Sequence, residues 1–259
     1  MRKILRYVLY AVLAAVLGTS TFHIIRTCKE TGRQEKLYES LQTAVAGKEP
    51  VSAAESELIM LPEYAELYRQ NSDLVGWIRI EDTNINYPVM QSKDEPNFYL
   101  KHGFDKKYAD CGCPYVQENC DVQKPSDNLV IYGHHMKSGL MFADLERFKD
   151  KDFQSKHKTV SFDTLCERQP YEIIAVFKTT VYTDTESGFQ YYRFVDAAEP
   201  EQFDEYIRKV KERALYDTGI SAEYGDKLIT LSTCEYSNRN GRLVLVAKRV
   251  TEKGGGSDV

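Results

Sequence analysis

Two strand-like runs near the C-terminus place a cysteine and an arginine where they could act together. The run LITLST ends at Cys234, the run LVLVA begins just after Arg242, and a polar segment ending in Asn-Gly separates them. If the two strands pair in antiparallel fashion, both side chains lie at the same end of a sheet. A thiol beside a fixed cation has a lowered pKa and becomes a nucleophile. The alternative is a buried structural cysteine and a surface arginine.

A third strand-like run supplies a base. The apolar stretch LVIY is followed by Gly133, His134 and His135. An imidazole can take the proton of a thiol and later protonate a leaving amine. The guanidinium of Arg242, always charged, suits the oxyanion of a tetrahedral intermediate. The product is a thioester, which water resolves in a protease and an amine resolves in a transpeptidase, and the spacing does not choose between them.

Composition limits the remaining possibilities. The 259 residues suit one large domain with appendages, and the net charge of -5 argues against nucleic-acid binding. Six cysteines show no zinc spacing. Two of Cys111, Cys113 and Cys120 could form a disulfide, or all three could be free thiols, and both possibilities stay open. The pairing state of Cys166 is open as well.

The N-terminus predicts a membrane segment over residues 1–27. Positive charges at Arg2, Lys3 and Arg6 precede residues 7–25, which hold no Asp, Glu, Lys or Arg and are about long enough to cross a bilayer. A cleaved signal peptide is the alternative. An Ala-x-Ala cleavage site is missing after the apolar run, so we favour an uncleaved anchor with its basic end inside.

The rest of the chain divides into a linker, a folded domain and a tail. Residues 28–54 predict a stalk helix, residues 52–70 a second helical stretch in which Pro62 starts a new helix, and residues 251–259 a flexible tail. Residues 55–250 hold about seven or eight short strands and an amphipathic helix from Pro200 to Leu215. This pattern predicts a mostly β, closed barrel.

Several of these motifs together resemble the sortase family. They are TLSTC at residues 230–234 with Arg242 eight positions on, IYGHHM followed by MF-x-x-L, and VGWI followed by TNINYPV. The VGWI and TNINYPV segments, the N-terminal helices and the helix before the penultimate strand are similar to class B sortases. Over residues 55–250 the resemblance implies an eight-stranded β-barrel with N-terminal helices and that inserted helix.

The resemblance also implies an activity. Such an enzyme cleaves an NPxT-like C-terminal sorting signal of surface proteins after its Thr, forming a thioester. An amine of peptidoglycan, on lipid II, a cross-bridge or a stem peptide, then receives the surface protein. Sortases are tethered by an N-terminal helix to the outer face of the Gram-positive membrane. No metal or other cofactor is expected, since the class A calcium site has no counterpart in this sequence.

Residue by residue, the resemblance implies the following roles. His134 matches the family histidine, Cys234 the nucleophile and Arg242 the arginine, with Arg239 less suited because it lies in the loop. His135 is interpreted as structural or a bystander. The predicted substrate groove contains Ser232, Glu235, Leu100, Tyr191 and Tyr192, for which ordinary packing is the alternative.

Two other functions stay open at this point. One is a membrane-anchored cysteine protease in which water resolves the thioester. The other is a non-enzymatic binding barrel on a membrane stalk, for which Cys234 would be dispensable.

Overall fold

The computed structural model of this chain describes residues 2–46, 60–181, 188–237 and 240–250. It divides into two compact units, residues 1–43 and 44–259. The predicted tail, part of the predicted second helical stretch and Arg239 lie outside the described residues.

The N-terminal unit consists of one long helix, α1, over Arg2–Ala46. Its 45 residues would extend roughly 68 Å at 1.5 Å per residue. By length and composition alone it can cross a membrane, and its apolar side chains, such as Tyr7, Val12 and Leu17, are exposed. The helix passes residues 27 and 28 without a break, so the predicted anchor and most of the predicted stalk form one element.

A barrel of eight strands forms the second unit. In chain order the strands are β1 Leu74–Arg79, β2 Asn86–Met90, β3 Tyr115–Val116, β4 Asn128–Tyr132, β5 Thr159–Thr164, β6 Pro170–Thr180, β7 Leu228–Cys234 and β8 Gly241–Arg249. Around the barrel they follow the order β1-β2-β3-β4-β7-β8-β6-β5, and β5 closes it by pairing with β1. The eight-stranded closed barrel predicted from the sequence is confirmed.

Most neighbouring strands are antiparallel, but β2 and β3 are parallel, as are β4 and β7. Their register runs from Asn128 opposite Leu228 to Tyr132 opposite Ser232. Because parallel strands end at the same side of a sheet, the residues that follow β4 emerge beside the last residues of β7. This pairing brings together two segments about 100 positions apart in the chain.

The barrel core explains why these strands form. Residues 173–177 of β6 and 243–247 of β8 are fully buried aliphatic and aromatic side chains. Burying each such large side chain stabilises the fold by about 1.5–3 kcal/mol. Continuous apolar runs of this kind are typical of strands covered on both faces.

Short helices lie between the strands in the chain. Helix α2 spans Pro62–Gln70, α3 Lys151–Lys156 and α4 Pro200–Arg213. As predicted, α2 begins at a proline and α4 precedes the penultimate strand. Three 3-10 segments cover Phe98–Leu100, Ala143–Lys149 and Tyr191–Arg193. Each of these segments contacts a residue of the candidate site, through the Leu100 carbonyl, the Lys149 side chain and the Tyr191 side chain respectively.

Candidate active site

Cys234 and Arg242 face each other across the β7–β8 hairpin. They are register partners in an antiparallel pair, at the end of one strand and near the start of the next. Directly opposed residues in such pairs place their Cβ atoms about 5 Å apart on one face of the sheet. Cys234 is a half-buried free thiol. Arg242 is also half-buried, and its Nη1 donates to the Gly241 carbonyl at 2.9 Å.

His134 follows β4 by two residues and lies at the same end of the barrel. The intervening Gly133 passes close to Phe142, and a Cβ at residue 133 would lie 2.6 Å from that ring. Glycine is therefore needed for the chain to approach Phe142 so closely. The Phe142 amide then donates to the His134 carbonyl at 2.8 Å, which fixes the backbone of the histidine.

The imidazole of His134 has a defined hydrogen bond. Its Nε2 lies 2.8 Å from the Leu100 carbonyl oxygen. A carbonyl oxygen only accepts, so Nε2 carries a hydrogen, and in the neutral ring Nδ1 is left as the acceptor. That tautomer has an unprotonated nitrogen available to act as a base.

Electrostatics favour the neutral form of this ring. Burial lowers the pKa of His134 below its usual value, and the positive charges of Lys101 and Arg242 lower it further. The Leu100 hydrogen bond and the carboxylate of Asp110 oppose this shift. The net direction is downward, so the imidazole is neutral over a wider pH range than an exposed histidine.

Hydrogen bonds hold the segment around Gly133 against the end of β7. The Gly133 amide donates to the Ser232 carbonyl at 3.1 Å, and the Thr233 hydroxyl donates to the Gly133 carbonyl at 2.7 Å. The residues that precede His134 and Cys234 are thus tied together directly.

Ser232 and Tyr191, two of the predicted groove residues, form a buried pair. The Tyr191 hydroxyl lies 2.6 Å from Ser232 Oγ, and each residue is 1 % exposed. Burial raises the pKa of Tyr191 to about 12, against the opposing effects of the Ser232 hydrogen bond and the charge of Arg242. Tyr191 is therefore a neutral phenol near pH 7.

Two further tyrosines belong to this region and were missed by sequence reasoning. Tyr115 on β3 and Tyr132 on β4 are register partners with ring centroids 5.5 Å apart. Burial raises the pKa of Tyr115. The charge of Arg242 lowers this pKa, and that of Cys234 raises it. Tyr132 is the last residue of β4, two positions before His134, and this closeness in the chain could have identified it.

Glu235 is largely engaged within the protein. Its side chain is 5 % exposed and accepts from Lys149 Nζ at 2.7 Å, Lys178 Nζ at 3.4 Å and the Ser237 hydroxyl at 2.5 Å. Burial would raise the pKa of Glu235, but the bonds from Lys149 and Ser237 outweigh it and lower the pKa to about 2. Its part in substrate binding stays a prediction.

Leu100 and Tyr192 are more accessible than the buried pair. Leu100 is 39 % exposed, and its carbonyl holds His134. The Tyr192 ring packs edge-on against Tyr191, with centroids 5.4 Å apart, and its carbonyl accepts from Gln117. Both can present atoms to a bound peptide, and their roles stay predictions.

Three of the other cysteines are more buried than Cys234. Cys111, Cys113 and Cys120 are buried, and Cys166 is half-buried. Burial raises the pKa of Cys120 to about 11, which keeps it protonated and slow to react. Within the described ranges, no group of three or more His, Cys, Asp or Glu side chains could hold a metal ion.

Comparison with known proteins identifies the family. The Sortase domain model matches residues 78–250. Sortase B of Listeria monocytogenes is 38% identical over 192 residues, covering 73% of this chain and 75% of that protein.

Solved structures give the same answer. Sortase B from Bacillus anthracis superposes with a TM-score of 0.74 at 29% identity, over 86% of this chain and 99% of that one. A Staphylococcus aureus sortase B–substrate complex gives a TM-score of 0.74 at 27% identity, over 86% and 99%. The chain therefore belongs to the sortase family and is a cysteine transpeptidase of the sortase B type.

Proposed function

We propose that this chain cleaves an NPxT-like C-terminal sorting signal of surface proteins through a thioester on Cys234 and transfers them to an amine of peptidoglycan. The observation that carries the proposal is the pairing of Cys234 with Arg242 beside the segment that delivers His134. A nucleophile, a cation and a base at one end of a barrel are the parts that acyl transfer needs.

In the first half-reaction, Nδ1 of His134 takes the proton of the Cys234 thiol. The sulfur attacks the carbonyl carbon of the signal's Thr, and the oxygen gains the negative charge. The guanidinium of Arg242 donates to that oxyanion. His134 then gives its proton to the leaving nitrogen, the C–N bond breaks, and the acyl group remains on sulfur as a thioester.

In the second half-reaction, an amine of the peptidoglycan precursor attacks the thioester carbon. His134 takes a proton from the attacking nitrogen, and Arg242 again faces the oxyanion. The C–S bond breaks, an amide forms, and Cys234 recovers its proton from His134. The lowered pKa of His134 supports this scheme, since the base must be neutral before each attack.

The substrate groove is proposed to lie along Leu100, Tyr191, Tyr192, Ser232 and Glu235. Exposed Leu100 and half-exposed Tyr192 supply apolar contact, while the buried Tyr191–Ser232 pair supports the floor. The likeness to a sortase B solved with its substrate supports a peptide groove on this fold. Glu235 contributes by holding the hairpin loop in place.

We also propose that α1 anchors the chain in the cell membrane. Its length and apolar composition support a single pass, with the basic N-terminus inside and the barrel outside. In this arrangement residues 1–27 contain the cytoplasmic tip and span, 28–54 the stalk, 55–250 the catalytic domain and 251–259 a tail. An outward barrel places the site where surface proteins and lipid-linked peptidoglycan precursors meet.

A transfer assay tests the proposal. Full-length protein in detergent is incubated with an NPxT-type peptide, with and without a peptidoglycan stem-peptide amine, and the products are read by mass spectrometry. We expect an amide adduct when the amine is present. Cleavage to the free acid alone, at a rate that the amine does not change, would instead identify a protease.

A further inference from the structure

His135, the second histidine after β4, contacts the backbone of Cys234. Its Nδ1 lies 3.0 Å from the Cys234 carbonyl oxygen, and because that oxygen can only accept, Nδ1 carries the hydrogen. The Tyr236 hydroxyl donates to the His135 carbonyl at 2.8 Å, and the two rings lie 5.1 Å apart. Side chain and backbone of His135 are therefore both bonded to the hairpin that carries Cys234.

The 3-10 segment Ala143–Lys149 places two charged side chains close to this contact. Glu146 Oε1 lies 3.6 Å from His135 Nδ1, and Glu146 Oε2 lies 2.6 Å from Lys149 Nζ. The same Lys149 Nζ lies 2.7 Å from Glu235 Oε1. One short segment thus places a carboxylate beside the His135 ring and an ammonium on Glu235, the residue after Cys234.

The position of Cys234 in the fold explains why it needs such support. It is the last residue of β7, and the chain turns into a hairpin loop directly after it. Parallel pairing with β4 is complete at Ser232, two residues earlier. The peptide that follows Cys234 is held on one side by the Glu235 amide, which donates to the Gly241 carbonyl at 3.0 Å. The His135 bond holds its other side, at the Cys234 carbonyl, and loss of that bond would let the sulfur shift from the attack position.

We propose that His135 is a positioning residue for the transpeptidase reaction. It fixes the Cys234 peptide through the Nδ1–H bond, so that the sulfur stays aligned with His134 and Arg242. The proposal rests on the proposed role of Cys234 as the nucleophile. A shift of about 1 Å in a reacting group can cost on the order of a hundredfold in rate, so loss of one orienting bond matters for turnover.

Two variants of similar shape separate the hydrogen bond from packing. H135N places an amide N–H near the position of Nδ1, whereas H135L has nearly the same shape and no donor. The side chain of His135 is 16% exposed, so either residue can be accommodated. We measure kcat and KM for the sorting peptide, the melting temperature, and the amount of acyl-enzyme on Cys234.

We expect H135L to lose about tenfold in kcat with KM within about twofold of the parent, and H135N to recover most of that loss. Equal kcat for H135L and the parent would overturn the proposal, as would equal losses in H135L and H135N that follow their melting temperatures. If H135L does not fold, H135A replaces it, since it also lacks the donor; it should lower kcat at least as much, and unchanged kcat in H135A would overturn the proposal.

The parent protein keeps the two hypotheses apart. If it forms no acyl-enzyme on Cys234, the proposed function fails, whatever the His135 variants do. If it forms the acyl-enzyme and H135L does so at the same rate, only the positioning role fails.

Discussion

The hydroxyl of Thr233 donates a 2.7 Å hydrogen bond to the carbonyl oxygen of Gly133. The residue before the proposed nucleophile is thereby fixed to the residue before the proposed base. Cys234 and His134 come from segments 100 positions apart, and this partly buried bond between their neighbours helps to limit their relative movement.

Replacing Thr233 by Val should therefore impair catalysis more than its stability cost explains. T233V keeps the shape but removes the donor, and losing this partly buried hydrogen bond should cost about 1–3 kcal/mol. We expect the free energy of unfolding to fall by about that amount and kcat to fall about tenfold. Denaturant titration and steady-state kinetics measure the two effects.

Thr230 on the same strand provides the matched control. Its buried hydroxyl donates to Asn128 Oδ1 at 2.8 Å, near the start of β4 rather than at its end. T230V should lose similar stability and keep kcat within about twofold. Equal kcat in T230V and T233V would show that the Thr233–Gly133 bond has no special role.

The pKa of His134 should respond in opposite directions to two neighbouring substitutions. The Lys101 charge lowers this pKa and the Asp110 charge raises it, and the two side chains pair at 3.2 Å. K101M should therefore raise the pKa of His134, and D110N should lower it. NMR titration of the His134 ring measures both changes.

The rate of acylation should follow the same order. A general base must be neutral, so the rate rises as pH passes upward through the pKa of His134. The acid limb of the pH–rate profile should shift to higher pH in K101M and to lower pH in D110N. Shifts in the same direction in both variants would contradict the assignment of His134 as the base.

Arg242→Lys should be strongly impaired. A lysine keeps the charge but cannot reproduce the planar fork of donors, and loss of an oxyanion donor typically costs about 100-fold in kcat. Arg249→Lys, at the far end of β8, is the control and should keep kcat. Near-normal turnover of R242K in the peptide assay would argue against Arg242 as the oxyanion partner.

Glu235 should make stability depend on acid pH. Its folded pKa is about 2 and a free Glu titrates near about 4.3, so its interactions stabilise the fold above the unfolded pKa. This contribution is lost as pH falls from about 4.3 towards 2. E235Q should therefore be less stable than the parent at pH 7, by about 1–3 kcal/mol, and nearly equal to it near pH 2. A difference in melting temperature that does not change over this range would contradict the ion-pair interpretation.

Much of the fold and the centre of the site could be predicted from the sequence. Two apolar runs around an Asn-Gly turn indicate the hairpin that carries Cys234 and Arg242. A Gly-His pair directly after an apolar run indicates His134. Both signals are local. The inserted helix was also predictable, because its apolar residues recur at helical spacing.

The parts that sequence reasoning missed depend on long-range register. Strand β3 has two residues, too few for a periodic signal, so the pairing of Tyr115 with Tyr132 could not be seen. Glu235 pairs with Lys149 and Lys178, which lie 86 and 57 positions away in the chain. Continuity of α1 was also missed, since the pattern changes from uniformly apolar to amphipathic where the structure keeps one helix.

The central claim is that Cys234 carries the acyl group. Intact-protein mass spectrometry after mixing with an NPxT-type peptide, followed by peptide mapping, measures this directly. We predict a mass increase equal to the acyl fragment, located on Cys234, removed by hydroxylamine and absent from C234A. An acyl group on another cysteine, or cleavage of the peptide by C234A, would contradict the account.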